Sequence, residues 1–214
     1  IEMPPAAMAQ VLAEAGVVFM YAPLMHPALR HVGPVRRELG IPTVMNMVGP
    51  LANPARAGRQ VVGVAEAARV PLLAEALLAL GSVHALVVHG APGMDEISPL
   101  GPTTVMEVRD GALRAWEIDP GAHGLGAVDP AELAGETPAH NAQIVEAVLA
   151  GQGTAGAHAA VLLNAAAAVY VAGHAESYAA AVPLVRAALR GGVGSQALAR
   201  LRAATQRVAP PSLP

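Results

Sequence analysis

Apolar positions in the first two thirds of the chain come in short runs separated by glycine- and proline-rich breaks, and those of the last third recur at helical spacing. Pro4-Pro5 followed by residues 6–16 predicts a helix with proline near its first turn and Gly16 at its end. Residues 17–22 predict a strand. A second helix is expected from Pro27 through Arg36-Arg37-Glu38 to Gly40, with a break or kink at Gly33-Pro34. Residues 43–48 fit a strand or a helical turn, 49–54 a loop, and 60–65 a strand. Residues 72–80 are apolar on more than one face and close at Gly81, which predicts a well-buried helix leading into the run Ala85-Leu-Val-Val88. Strand, helix, strand in that order implies a parallel sheet with right-handed crossovers. Residues 103–108 and 113–118 alternate around Asp110-Gly111, a hairpin signal. After a long loop over 119–130, helices are expected over 141–151, 159–173, 177–190 and 195–207, with Ser195 capping the last. With no repeat at a fixed period and no linker, the chain reads as one α/β domain over 1–209 and a disordered tail, 210–214.

Charge narrows the range of partners. A formal charge of -3 and a pI near 6.2 give no global attraction to nucleic acid or anionic membranes. Trp116, Phe19, Tyr21, Tyr170 and Tyr178 are too scattered to form a base-stacking platform. All 13 basic residues are Arg, which excludes lysine Schiff-base chemistry and a P-loop lysine and leaves guanidinium groups to meet carboxylates or phosphates. The absence of Cys removes disulfides, thiolate nucleophiles and Cys-based zinc sites, as a cytoplasmic location allows. No basic leader with a long apolar core is visible at the start. The Ala-rich stretch 159–173 is broken by Asn164 and is shorter than the roughly 20 apolar residues a membrane span needs, so it reads as a buried core helix.

The candidate chemistry centres on Asp95-Glu96, within His89-Gly-Ala-Pro-Gly-Met-Asp-Glu-Ile-Ser98. Ligands of open α/β sheets bind outside the carboxyl ends of strands, where this pair is expected. Hard carboxylate oxygens suit Mg²⁺, which commonly uses one or two of them together with a substrate's phosphates. The competing reading is a solvated acidic turn. Met25-His26-Pro27 follows one predicted strand and opens a helix, and Arg36, ten residues on, could pair bidentately with a carboxylate ligand. Gly49-Pro50-Leu-Ala-Asn53-Pro54 reads as a rigid turn, and His89 as either a base or a hydrogen-bonded support. The remaining histidines show no metal-ligand spacing, and there is no Gly-x-Ser-x-Gly elbow, zinc-protease helix or Walker loop.

Taken in order, Ala22-Pro-Leu-Met-His26-Pro-Ala, Pro34-Val-Arg36-Arg-Glu-Leu-Gly40, Asn46-Met-Val-Gly-Pro50-Leu-Ala-Asn53-Pro54, Val88-His-Gly90, Gly93-Met-Asp95-Glu96-Ile-Ser98 and Val161-Leu-Leu-Asn164-Ala-Ala resemble anthranilate phosphoribosyltransferase over residues 2–173. The resemblance implies an α/β fold with a mostly parallel central sheet flanked by helices and a helical C-terminal portion, as in the large domain of the nucleoside phosphorylase and phosphoribosyltransferase type. It also implies transfer of the phosphoribosyl group of phosphoribosyl pyrophosphate to the amine of anthranilate, in tryptophan biosynthesis. Carried over by position, Asp95 and Glu96 hold Mg²⁺ against pyrophosphate, Arg36 meets the anthranilate carboxylate, and His26 and Pro50 line its approach. The full-length family protein is expected to be a cytoplasmic homodimer. The family's Gly-Thr-Gly-Gly-Asp phosphate loop and Lys-His-Gly-Asn segment do not occur in these 214 residues, and Pro42, Met45 and Met47 depart from its usual residues. The chain is therefore expected to be a piece of a longer enzyme or a protein that has lost the activity, and inactive or nearly so alone. The rival functions are a pyrimidine nucleoside phosphorylase and a non-catalytic, nucleic-acid-binding relative.

Overall fold

A computed structural model of the chain describes residues 1–26, 38, 40, 45–126 and 128–208. The elements, in chain order, are α1 (Pro5–Ala15), α2 (Ala22–Met25), α3 (Met45–Leu51), β1 (Arg59–Gly63), α4 (Val70–Ala79), β2 (His84–Gly90), β3 (Thr103–Arg109), β4 (Ala112–Ile118), α5 (Pro138–Leu149), α6 (Ala155–Val171), α7 (Tyr178–Arg190) and α8 (Val193–Val208). The sequence reads as one domain over 1–209, whereas the coordinates form two compact units, 1–48 with 192–214 and 49–191. The helix expected between Pro27 and Gly40 and the tail 210–214 fall outside the described residues, apart from Glu38 and Gly40.

In the first unit α1 starts at the expected proline and ends at Gly16, whose φ of 77° lets its N–H reach back to the Leu12 carbonyl. Met3, Met8, Val11 and Ala15 are buried with Ala204 of α8, and Glu14 pairs with Arg207 across the two helices. The strand expected over 17–22 does not form. Val18 and Met20 pack against this core while Val17 and Phe19 are exposed, so the alternation is present, but no strand among the described residues supplies a ladder. Of the two readings of 43–48, the described residues from Met45 take the helical one, and the loop expected over 49–54 starts later because α3 runs to Leu51 with Pro50 inside it.

The second unit is an α/β fold built on a four-stranded sheet of order β1-β2-β3-β4, mixed rather than mostly parallel. β1 and β2 are parallel, linked through α4, while the predicted hairpin β3-β4 turns at Asp110-Gly111 and docks β3 antiparallel on β2. β2 is buried on both faces, which explains its unbroken apolar run. Leu86 and Val88 face Leu162, Leu163, Ala166 and Ala167 of α6, and the alternate residues of β2 are left to the face across which α4 packs. α5, α6 and α8 begin upstream of their expected starts, and α7 begins within one residue of its own. Thr137, Thr154 and Ser177 cap α5, α6 and α7 by accepting from the amides of His140, Ala157 and Ala180, and Pro138 occupies the first turn of α5. Ser195 lies inside α8 rather than at its N-cap, since the helix starts two residues before it. No helix among the described residues is long and apolar enough to cross a membrane.

At the end of the sheet where β1 starts, a carboxylate is buried on purpose-built donors. Glu107 Oε1 accepts from His84 Nε2 at 2.8 Å and from the Tyr170 hydroxyl at 2.6 Å, and Oε2 accepts from Trp116 Nε1 at 3.0 Å. Tyr170 in turn accepts from Arg109 Nη1 at 3.2 Å. Burial, and then its bond to Glu107, raises the Tyr170 phenol above the ordinary range; burial alone raises Tyr178, whose hydroxyl donates to the Leu163 carbonyl at 3.0 Å.

Glu107→Ala strands the buried His84 and Tyr170 donors and the half-buried Trp116 N–H, and is expected to cost about 3–5 kcal/mol, read as a lower urea midpoint with unchanged slope. A second expectation concerns alkali. The fold favours neutral phenols, so the stability that Tyr170 and Tyr178 contribute is complete below the unfolded pKa of about 10 and is lost as pH rises toward their higher folded values. The urea midpoint should fall above that pH, and Tyr178→Phe should flatten the fall.

Candidate active site

β2 ends at Gly90, and the chain then doubles back. The Gly90 N–H donates to the Met94 carbonyl at 2.8 Å, and the Met94 N–H to the Gly90 carbonyl at 2.7 Å. This returns Asp95 and Glu96 to the edge where the parallel strands β1 and β2 both finish, at Gly63 and Gly90. The return depends on those two glycines. A Cβ on Gly63 would stand 1.5 Å from the Asp95 carbonyl oxygen, and one on Gly90 would stand 2.4 Å from that of Glu96. Both obstacles are backbone, so no side-chain rotation relieves them.

The segment after the pair is fixed by the helix beneath it. Ile97 is fully buried; its N–H donates to Asn164 Oδ1 and its carbonyl accepts from Asn164 Nδ2, each at 2.9 Å. Asn164 Nδ2 also donates to the Ala160 carbonyl one turn earlier on α6. The Ser98 N–H donates to Thr103 Oγ1, and Ser98 Oγ accepts from the Leu100 N–H, both at 3.0 Å, with Ser98 and Thr103 buried. The two carboxylates are thus carried on fixed backbone while they themselves are exposed. Glu96 also lies on the lip of a groove of about 500 Å³ between α5 and α6, walled by Leu133, Ile144, Val148 and Val161.

His89 Nδ1 lies 2.8 Å from the Val64 carbonyl. A carbonyl only accepts, so Nδ1 carries the proton and the ring ties the end of β1 to β2. This is the hydrogen-bonded support among its two sequence readings. His26 follows α2, its N–H bonded to the Ala22 carbonyl, and belongs to the first unit. Pro50 is half-buried near the end of α3, and Arg36 lies outside the described residues. Of the expected site residues, Asp95 and Glu96 are the two that this loop carries side by side. Gly63, Thr103, Ser98 and Asn164 were given no role from sequence, although Ser98 and Asn164 lie in the motifs that carry the resemblance and an isolated Asn inside an Ala-rich helix was a signal for the last.

Among the described residues no group of three or more His, Asp or Glu could hold a metal ion. An adjacent, exposed pair of hard oxygen donors is instead a partial set, which fits Mg²⁺ completed by water and phosphate oxygens.

A family model described as "Glycosyl transferase family, a/b domain" matches residues 1–195. The chain belongs to this glycosyl transferase family. Within it, the chain is 46% identical over 209 residues to an anthranilate phosphoribosyltransferase of Rubrobacter xylanophilus, covering 98% of this chain and 61% of the relative. A second, from Thermomicrobium roseum, is 46% identical over 218 residues and is covered to 62%. The chain thus spans about three fifths of the length of these family members. Among solved structures, the anthranilate phosphoribosyltransferase of Thermus thermophilus superposes with a TM-score of 0.88 at 39% identity, over 96% of this chain and 60% of that one. The Saccharomyces cerevisiae enzyme in complex with PRPP and Mg gives 0.79 at 28% identity, over 89% and 55%.

Gly63→Ala is expected to destabilise the chain by about 1–3 kcal/mol or more, since backbone must move to admit the methyl group. Gly49→Ala, where an added Cβ meets nothing within 4 Å, should leave the urea midpoint nearly unchanged.

Proposed function

We propose that this chain carries the metal-binding part of an anthranilate phosphoribosyltransferase, the enzyme that joins anthranilate to phosphoribosyl pyrophosphate and releases pyrophosphate. The observation that carries the reading is the exposed Asp95-Glu96 pair, held on fixed backbone where two parallel strands end, in a chain that resembles an enzyme solved with PRPP and Mg.

Breaking the bond between ribose C1 and pyrophosphate leaves positive charge on the sugar and negative charge on the leaving group. Mg²⁺, when bound, supplies charge stabilisation for that leaving group. Asp95 and Glu96 would hold it, and their fixed backbone keeps them from reorganising as charge develops. Arg36 is assigned to the anthranilate carboxylate, and His26 and Pro50 to its approach, on the sequence motifs. The aromatic amine is already neutral at pH 7, so positioning rather than deprotonation prepares its attack. Orientation of this kind is worth up to roughly 7–11 kcal/mol in the best cases. A tryptophan-pathway enzyme of this sort would work in the cytoplasm, and the full-length protein would be a homodimer.

Calorimetric titration tests the reading directly. Phosphoribosyl pyrophosphate with Mg²⁺ should bind the chain, and Asp95→Asn with Glu96→Gln should weaken the Mg²⁺-dependent part at least tenfold without changing the urea midpoint. Equal Mg²⁺-dependent binding by the double variant would overturn the assignment. The 214 residues alone lack the family's glycine-rich phosphate loop, so their turnover of anthranilate is expected to match that of an Asp95→Asn control.

A further inference from the structure

The loop after β4, the first turn of α6 and the last turns of α7 enclose a second groove, of about 360 Å³, within the 49–191 unit. Its floor is apolar, with Leu125 and Leu162 at 7% and 4% exposure and Leu189 beside them. Its charged lining is of one sign, Arg186 and Arg190, with His158 beside them and no carboxylate among the described lining residues. Arg186 uses one donor, from Nη2 to the His123 carbonyl at 3.2 Å, out of the five a guanidinium carries. Arg190 is exposed at the end of α7, and among the described residues neither arginine meets an acidic partner.

The amides of the first turn of α6 add nothing to this potential. Gly156 N–H donates to Glu132 Oε2 and Ala157 N–H to Thr154 Oγ1, so they are already satisfied. The groove beside Arg59 and Arg109 is different again, because Asp110 and Glu176 line it as well. The α6–α7 groove pairs a hydrocarbon floor with two arginines and, among its described lining residues, no carboxylate.

We propose that this groove binds a small amphipathic anion, an aliphatic or aromatic body on the leucine floor with a single carboxylate or phosphate head held by Arg186 and Arg190. The volume is at the lower end of the range for small-molecule sites, which limits the body to a short chain or one ring. Two guanidinium forks offer the planar, bidentate geometry that carboxylate and phosphate oxygens share. The site is separate from Asp95-Glu96 in chemistry, since it attracts anions and that pair attracts a cation.

Calorimetric titration of the 214-residue chain with octanoate and with phenyl phosphate, without Mg²⁺, tests the proposal. At least one should bind saturably in the millimolar range or below, the tighter one naming the head group. Octanol and inorganic phosphate, each carrying half of the chemistry, should bind at least tenfold more weakly. Arg186→Gln with Arg190→Gln should weaken the amphipathic probe at least tenfold, and Arg190→Gln alone, at an exposed position that folding does not depend on, at least threefold. Absence of saturable binding by either probe, equal binding of inorganic phosphate or octanol, or unchanged affinity in the Arg190→Gln variant would overturn it.

Discussion

The contact of backbone on backbone at Gly63 and Gly90 is the constraint from which the rest of the candidate site follows. Two parallel strands end side by side, and a returning loop lays the carbonyls of Asp95 and Glu96 where ordinary side chains would project. Such an approach is open to glycine alone, and its entropic cost is met elsewhere, by the burial of β2 on both faces and by Asn164 gripping Ile97. The order placed in the backbone leaves little for a ligand to impose. For the cation proposed to bind there, only the rotamers of two exposed side chains would remain to be fixed.

The sheet divides its polar chemistry between its two ends. Where β1 and β2 finish, acids are exposed and their supports are buried. Where those strands begin, Glu107 is buried and every oxygen it offers is matched by a donor from His84, Tyr170 or Trp116. One end is arranged to meet something from solvent, and the other to need nothing from it. The same element, β2, supplies His84 to the second arrangement and Gly90 to the first.

Features set by local chemistry were legible in the sequence. The hairpin at Asp110-Gly111, the glycine stop after α1, the helix before β2 and the acidic pair beyond it all follow from neighbours within a few residues. Long-range pairing was not legible. Residues 17–22 carry the alternation of a strand but meet no partner, and nothing in a hairpin's own sequence says on which strand it will dock, so the mixed sheet was missed. Gly63 looks like any strand-ending glycine until the loop that returns to it is known. Asn164 lies 67 residues from the backbone it holds. Glu107 did leave a trace, since it shares its parity with the buried Thr103 and Val105, and a charged residue on the inward side of a strand requires partners. Of the candidate site, the proposed metal ligands Asp95 and Glu96 stand out by residue type and position, whereas the residues proposed to meet anthranilate, His26, Arg36 and Pro50, rest on motifs alone.

α6 is attached at two places with different chemistry. Asn164 holds the loop that carries Asp95 and Glu96, and Tyr170 joins the Glu107 cluster at the far end of the sheet. The helix is therefore a strut pinned at both ends, and the pins must keep phase. At 3.6 residues per turn, one residue inserted between them would rotate one pin against the other by about 100°, so that only one could stay engaged. Over this stretch the spacing of the chain is a constraint of the same rank as the identity of the residues: Ala168 is exposed and has room for a larger side chain, Ala166 and Ala167 are buried and have none, and a change of length by a single residue is tolerated nowhere between the anchors.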